Sequence, residues 1–423
     1  MDTLGRESLQ TGKGIFKYMK TINVLSLAMI DDVLGMSLCG DASIELNAIV
    51  NSKMESKKLR LSQEKCFKVH ICKKNEKEKC TQVLKVHNLN MKSAAQITYL
   101  GDVISETGSI DETIAQRSQK ALGITTQISS ILSSICLGNF HFDIAMVLRD
   151  SLFVNSVMSN SEIWHNVKSN HIESLEKSDI NLLRKIMNAH SKTASEALFL
   201  ELGKYPLRFV LSKRRLMYLW HVLQRDNRHV LQRDNKELIR KNYDSQKLET
   251  NKGDWCEIIQ IEKSKYNITQ NDVEISQMSK EKYKTMIEKK INSEALKYLN
   301  ELAKSHSKSR LISNDKFEKK PYFSDRRFSK EDVQILFALR TRTTNCKSNF
   351  KTQYGNQLKC RICKVDGSIE DEDHILICSA LTDGNCDVRF SDVYGNVDEQ
   401  YHAVKTFKKV LRQREVYLDM IDK

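Results

Sequence analysis

The sequence predicts an α+β fold that is mostly α-helical, with short β-hairpin strands first, long helices through the middle and a small cysteine- and histidine-bearing segment near the end. Three observations carry this expectation. Only two prolines, Pro206 and Pro321, occur in 423 residues, which favours long uninterrupted helices over a turn-rich β architecture. Apolar residues in the middle of the chain recur at helical spacing behind capping signals. Near the N-terminus, two apolar runs flank an acidic pair in a hairpin pattern.

Taken in order, Asn23-Val-Leu-Ser-Leu-Ala-Met-Ile30 leads into Asp31-Asp32, and Val33-Leu-Gly-Met-Ser-Leu-Cys39 leads out, so the acidic pair belongs at a hairpin tip. Two carboxylates held there can bind Mg²⁺, a hard cation that takes oxygen ligands; Asp-Asp alone also reads as a solvated turn. Ser109-Ile-Asp-Glu112 is a capping-box pattern, and Ile110, Ile114, Ala121, Leu122, Ile128, Ile131, Leu132 and Ile135 continue at helical spacing to a stop at Gly138. Further helices are expected from about Phe142 to Val157 and from about Ile172 to Met187, the latter with Leu175, Leu182, Leu183 and Ile186 inward. Thr193-Ala-Ser-Glu196 reads as a second capping box, with Gly203 ending its short helix and Pro206 opening the next, which continues toward Leu223.

The segment His221-Val-Leu-Gln-Arg-Asp-Asn227 repeats unchanged as His229 to Asn235. Eight residues turn a helix about 80° past two full turns, so the copies cannot share a face, and the repeat reads as a duplication tolerated near a helix end. From about Lys236 to Lys330 the chain is rich in Lys and Glu with weak periodicity, which predicts solvated helices and loops. Asp398 to Ile421 reads as one basic amphipathic helix with Val404, Phe407, Val410 and Leu411 on one side. Its apolar side suits packing; Lys405, Lys408, Lys409 and Arg412 offer contacts to RNA.

The segment before that helix carries the most specific pattern. Cys360 and Cys363 can reach one ion from a tight turn, and after ten intervening residues His374 and Cys378 are four apart, on one face of a helix. Four such donors close a zinc tetrahedron without an open position, so the expected site is structural. Val365-Asp366-Gly367-Ser368 is a turn signal between the halves, and Glu370 to Asp373 place acids in the first turn of the helix bearing His374. Lys359, Arg361 and Lys364 are the cations that could carry nucleic acid beside it. The remaining cysteines, at 39, 66, 72, 80, 136, 256, 346 and 386, follow no disulfide framework and are expected to be reduced.

Composition narrows the function class. With 40% hydrophobic and 29% charged residues and a formal net charge of +14, the chain is expected to be globular and to seek polyanions. The longest apolar region, Ile22 to Ile30, is too short for a membrane span and stops at two aspartates, and no signal peptide is evident. An intracellular location, nucleus or cytoplasm, is the expectation.

In order along the chain, these motifs resemble the C-terminal portion of a non-LTR retrotransposon (LINE-like) reverse transcriptase. Ala28-Met-Ile-Asp31-Asp32-Val-Leu is similar to the family's palm signature, an apolar strand ending in a metal-binding aspartate pair. Ser56-Lys-Lys-Leu-Arg-Leu-Ser-Gln-Glu-Lys65-Cys66 resembles the next motif, whose lysine lies near the incoming nucleotide. Tyr99-Leu-Gly-Asp-Val-Ile-Ser105 resembles the primer-grip strand, and Leu336-Phe-Ala-Leu-Arg340-Thr-Arg342, Asn349-Phe-Lys351 and the Cys360 to Cys378 knuckle resemble the C-terminal segment. The resemblance implies a partial palm over 1–105, a thumb-like region over 106–235, a basic connector over 236–335, a CCHC zinc-knuckle segment over 336–390 and a closing helix over 391–423. It implies RNA and DNA as partners, Mg²⁺ at Asp31 and Asp32, Lys65 near the nucleotide, a structural Zn²⁺, and Arg340 and Arg342 among the nucleic-acid contacts.

Departures from the family pattern shape the expected activity. Family polymerases need a further metal-binding aspartate on an earlier palm strand together with fingers, and only thirty residues precede Asp31, with Asp2 and Glu7 their only acids. Leu25-Ser-Leu-Ala28 also replaces a more proline-rich entry. The chain is therefore expected to be N-terminally truncated and incapable of DNA synthesis alone. The roughly forty residues after Cys378 are too few for an endonuclease domain. The alternative is a retained RNA- or DNA-binding module built from basic helices and the knuckle.

Overall fold

A computed structural model describes residues 16–18, 22–24, 26–29, 32–35, 40–59, 62–71, 84–86, 89–134, 141–224, 240, 242–248, 254–306, 309, 312, 318–382 and 387–421. Helix predominates, with few and short strands, in line with the expected class. The chain divides into two compact units of three segments each: Met1–Arg117, Ser159–His171 and Ser212–Ile287 in one, Ser118–Met158, Ile172–Leu211 and Glu288–Lys423 in the other. The stretches 106–235 and 236–335 are thus each shared between the units.

In the first unit the strands pair as local ribbons. Ser26–Met29 runs antiparallel to Asp32–Gly35 with Met29 opposite Asp32, the expected hairpin. Ile30 and Asp31, between its strands, lie outside the described residues. Gln96–Tyr99 pairs with Asp102–Ser105 across Leu100 and Gly101, both at positive φ (48° and 88°), as a two-residue hairpin turn requires. The stretch Tyr99 to Ser105, expected as one strand, is therefore the end of one strand, the turn and the returning strand of a hairpin, because Gly101 supplies a left-handed residue in the turn. Asp102 in that turn accepts from Arg117 (2.9 Å) and Asn160 (2.8 Å), tying the hairpin to helix Asp111–Ser134. Among the described residues no ribbon exceeds three strands.

The expected helices form with local corrections. His141–Leu148 continues through a π turn, Arg149–Val154, into Asn155–Val157, and Ser169–Met187 follows. Gly138 and the second copy of the 221–227 repeat lie outside the described residues; helix Leu207–Leu223 ends inside the first copy. Neither expected capping box closes. Ser109 accepts from the Asp111 N–H (3.1 Å), but its own N–H goes to Thr107, whose hydroxyl donates to Glu112 (3.2 Å). In helix Ser195–Leu202 the N-cap is Ala194, and Glu196 turns inward, accepting from Ser309 (2.7 Å) and facing His306 (2.6 Å). Reciprocal boxes form instead at Asn271/Glu274 and Ser329/Asp332. Pro206 precedes its helix by one residue, and its carbonyl accepts the Phe209 N–H (3.0 Å).

The largest correction falls in the Lys/Glu-rich stretch. Lys280–Ser305 is a single helix whose Tyr283, Ile287, Ile291, Ala295, Leu299 and Ala303 are all buried. These residues are four apart. A four-residue step advances about 40° beyond a full turn, so the buried stripe winds round the helix and no fixed 3.6-residue face shows in the sequence.

In the second unit, Gly203 ends helix Ser195–Leu202 at φ +60°, as expected, and the reason is twofold. A Cβ there would lie 2.4 Å from the Lys319 backbone nitrogen, because the chain at Glu318–Lys320 lies against the helix end and the Lys320 N–H donates to Glu201 O (3.0 Å). Beneath that contact, Glu201 accepts from Arg340 (2.8 and 3.0 Å) and Tyr322 (2.7 Å), all three side chains being buried. Helix Val397–Ile421 closes this unit, burying Ala403, Val404, Phe407 and Val410. Among the described residues, no helix is long and apolar enough to cross a membrane.

Candidate metal centre

Cys360, Cys363, His374 and Cys378 converge, their four donor atoms lying within 4.8 Å of one another. A zinc tetrahedron with Zn–S of about 2.3 Å and Zn–N of about 2.0 Å holds its donors roughly 3.5–3.8 Å apart, so the spread suits one ion. Local backbone chemistry builds the site from two halves. Lys359 bridges Ile369 antiparallel, with Cys360 N–H donating to Ser368 O (3.1 Å) and Glu370 N–H to Leu358 O (2.8 Å). Between them the expected turn closes through Ser368 N–H to Val365 O (3.2 Å), with Gly367 at φ +80°. Lys364 is also left-handed (φ 54°), and the Val365 N–H donates to the Cys363 sulfur.

The second half is helix Glu372–Ile377. Asp371 caps it by accepting the His374 N–H (2.8 Å), which fixes the imidazole's position in the first turn. Cys378 lies one residue past the helix in extended conformation, so the two ligands are not on one helical face as their spacing suggested. The turn after it, with Leu381 and Thr382 N–H groups on Cys378 O (2.8 and 2.9 Å), returns the chain. His374 Nε2 stands 3.4 Å from Cys363 Sγ.

Electrostatics fit a cation. Burial opposes ionisation of Cys363, yet the Val365 N–H, Ser368 hydroxyl, Cys360 and His374 favour its thiolate and bring it down to about 6. Cys378 moves up to about 11 through burial and through the negative charge of Cys360 and Cys363. A divalent ion at the centre removes that conflict, and a donor set of three sulfurs and one imidazole matches zinc rather than magnesium. Around the donors, Cys346, Ile375, Leu381 and Val410 form an apolar wall with Cys360 and Cys378. Burial raises Cys346 to about 12, keeping it a thiol beside the ligand set.

The cations expected to meet nucleic acid have different fates. Arg340 is 4% exposed, bound to Glu201 and to Val393 O (2.6 Å); it is a core ion pair and corrects the expectation of a phosphate contact. Arg342 donates to buried Glu372 (2.8 Å) and lies 3.6 Å over the Phe390 ring. Arg361 grips buried Glu370 through Nε (2.9 Å) and Nη2 (2.6 Å). Lys359 is exposed and paired with exposed Asp366 (2.5 Å), and Lys364 is exposed. On the C-terminal helix, Lys405 and Lys408 hold Asp332 (2.7 and 3.0 Å), and Arg412 holds Glu331 (3.1 Å).

Of the polymerase-like residues, Asp31 lies outside the described residues, and Asp32 begins the second hairpin strand. Lys65 is exposed in the 3-10 turn Gln63–Lys65, beside strand Leu89–Ser93. Sequence reading placed Glu370 and Glu372 in the first turn of the helix bearing His374, but Glu370 precedes that helix and its cap Asp371, and the reading missed that both acids, with Arg414, are buried partners within the metal segment. Their types promise solvent, and only their partners show why they are buried. It also missed the charge balance: residues 318–421 hold 18 Lys and Arg against 16 Asp and Glu, so most of the +14 lies upstream. No family model, no curated protein and no solved structure matches this chain.

Proposed function

We propose that the chain is a nucleic-acid-binding polypeptide of the non-LTR reverse-transcriptase type, braced near its C-terminus by one structural zinc ion. The observation that carries this reading is the convergence of Cys360, Cys363, His374 and Cys378, at the place in the motif order where that family has its knuckle. Zinc there would occupy four protein donors, leaving no position for a reactive water, so its contribution is to fold the segment. The formal charge of +14 supports a polyanionic partner. Beside the metal centre, exposed Lys364, and exposed Lys359 by giving up its surface pair with Asp366, offer cations to phosphate, and exposed Lys351 lies near them in sequence.

On the same reading this chain does not synthesise DNA by itself. The family's metal pair needs a further aspartate from another palm strand, and the hairpin carrying Asp32 pairs with no further described strand. Two measurements test the proposal. Purified full-length protein should carry one zinc per chain by mass spectrometry of its metals, and should bind labelled single-stranded RNA with an affinity that falls steeply as salt rises. A zinc-free folded protein, or no salt-dependent binding, overturns it. Primer extension abolished by Asp31→Ala would instead restore the polymerase.

A further inference from the structure

Arg414 on the C-terminal helix carries its charged head to the turn that forms the first half of the metal segment and to the chain just before it. Its side chain is 3% exposed, and its Nη2 donates to Glu370 Oε1 and to the backbone oxygen of Asn345 (2.6 Å). Glu370, itself 1% exposed, takes the Arg361 N–H (3.0 Å) and the Arg361 guanidinium through the same carboxylate. Arg361 stands between Cys360 and Cys363, so Glu370 clamps the turn that presents those two sulfurs. Four residues beyond Glu370 comes His374, on the helix that leads to Cys378. One turn back from Arg414, Val410 and Leu411 belong to the apolar wall shared with Cys360 and Cys378.

We infer that Arg414, acting through Glu370, is a positioning residue for the metal centre, and that metal binding and docking of the helix beyond Val410 are one coupled equilibrium. The inference rests on the zinc reading above. A buried carboxylate needs its cations: with Arg414 gone, Glu370 keeps Arg361 but loses the contact that fixes the turn against the helix. By linkage, whatever the docked helix contributes to metal affinity, the metal returns to helix docking. The first half of the helix has separate anchors, Lys405 and Lys408 on Asp332, and stays in place when the metal leaves.

The test uses the full chain. Zinc affinity, read by competition with a chromophoric chelator, should fall about 10- to 100-fold in Arg414→Gln, the range for residues that orient metal ligands. Arg414→Lys, which keeps charge but not the fork, should fall between. Arg412→Ala, whose side chain is 64% exposed and pairs with Glu331, should match the wild type. Hydrogen exchange of the wild type provides an arm that needs no variant: chelation should expose amides of 345–378 and 410–421 while 397–407 keep their protection. Unchanged zinc affinity in Arg414→Gln, or equal loss of protection along the whole helix, overturns the coupling. A wild type that holds no zinc overturns the metal reading instead, so the two failures are distinct.

Discussion

The acidic hairpin near the N-terminus and the metal segment near the C-terminus both present candidate metal ligands, but they are built differently. In the metal segment two short local pieces, a β-bridge turn and one capped helix, bring four donors together within nineteen residues of chain. Buried partners then hold the pieces: Glu370 with Arg361 and Arg414, and Glu372 with Arg342, Thr344 and Asn349. The hairpin of Ser26–Met29 and Asp32–Gly35 is a ribbon of two strands, and on the family pattern its chemistry needs a carboxylate from elsewhere. A site whose ligands are close in sequence assembles locally. One shared among distant strands depends on the whole sheet.

The sharpest way to break this contrast is Cys360→Ser. It should abolish stoichiometric zinc and unfold the region around the centre, a loss of several kcal/mol visible as a lost or lowered melting transition; retention of both would show that the segment folds without metal. Arg340→Ala comes next. Leaving Glu201 buried without its cation should cost about 3–5 kcal/mol in a denaturant titration, with no selective loss of RNA affinity. Weakened RNA binding at unchanged stability would return Arg340 to the nucleic-acid surface.

A smaller effect concerns pH. Burial, with Lys330 adding to it, lowers His141 from 6.5 to about 4, so between those values the unfolded chain binds the proton and the folded chain does not. Stability therefore falls with acidification through that window. His141→Gln should remove about 1–2 kcal/mol of the loss between pH 7 and 5, read as the difference between wild-type and variant urea midpoints. An identical pH slope in both proteins would place His141 in water. Smallest is the change expected of Lys359→Ala with Lys364→Ala: no shift in melting, a modest loss of RNA affinity and a salt slope reduced by about one per phosphate contact. Unaltered slope would move the nucleic-acid surface to the upstream helices, where most of the charge excess lies.

Much of the architecture was legible because it is local. The hairpin of Ser26–Met29 and Asp32–Gly35, the helical run 141–157, the stop at Gly203 and the turn at Val365–Ser368 each follow from side-chain period or from a residue with a special φ. The metal ligands were legible because few chemistries require Cys-x-x-Cys followed by His and Cys at that spacing. Helix Lys280–Ser305 was not, since its buried stripe follows a four-residue step that no single face reveals. The failed capping box at Thr193–Glu196 has a similar cause: Glu196 finds Ser309 and His306, more than a hundred residues away, in place of its own helix end.

What the sequence determined by itself is the identity of the donors, the helical class and the charge. What tertiary structure alone decided is which charges are available. Arg340, Arg342, Arg361 and Arg414 look alike in a basic sequence, yet each faces a buried or nearly buried carboxylate, Glu201, Glu372 or Glu370, brought from elsewhere in the fold. A buried carboxylate without a cation is costly, so the fold assigns these arginines to its own acids and leaves exposed lysines, Lys364 and, in a surface pair with Asp366, Lys359 among them, for solvent and for a partner.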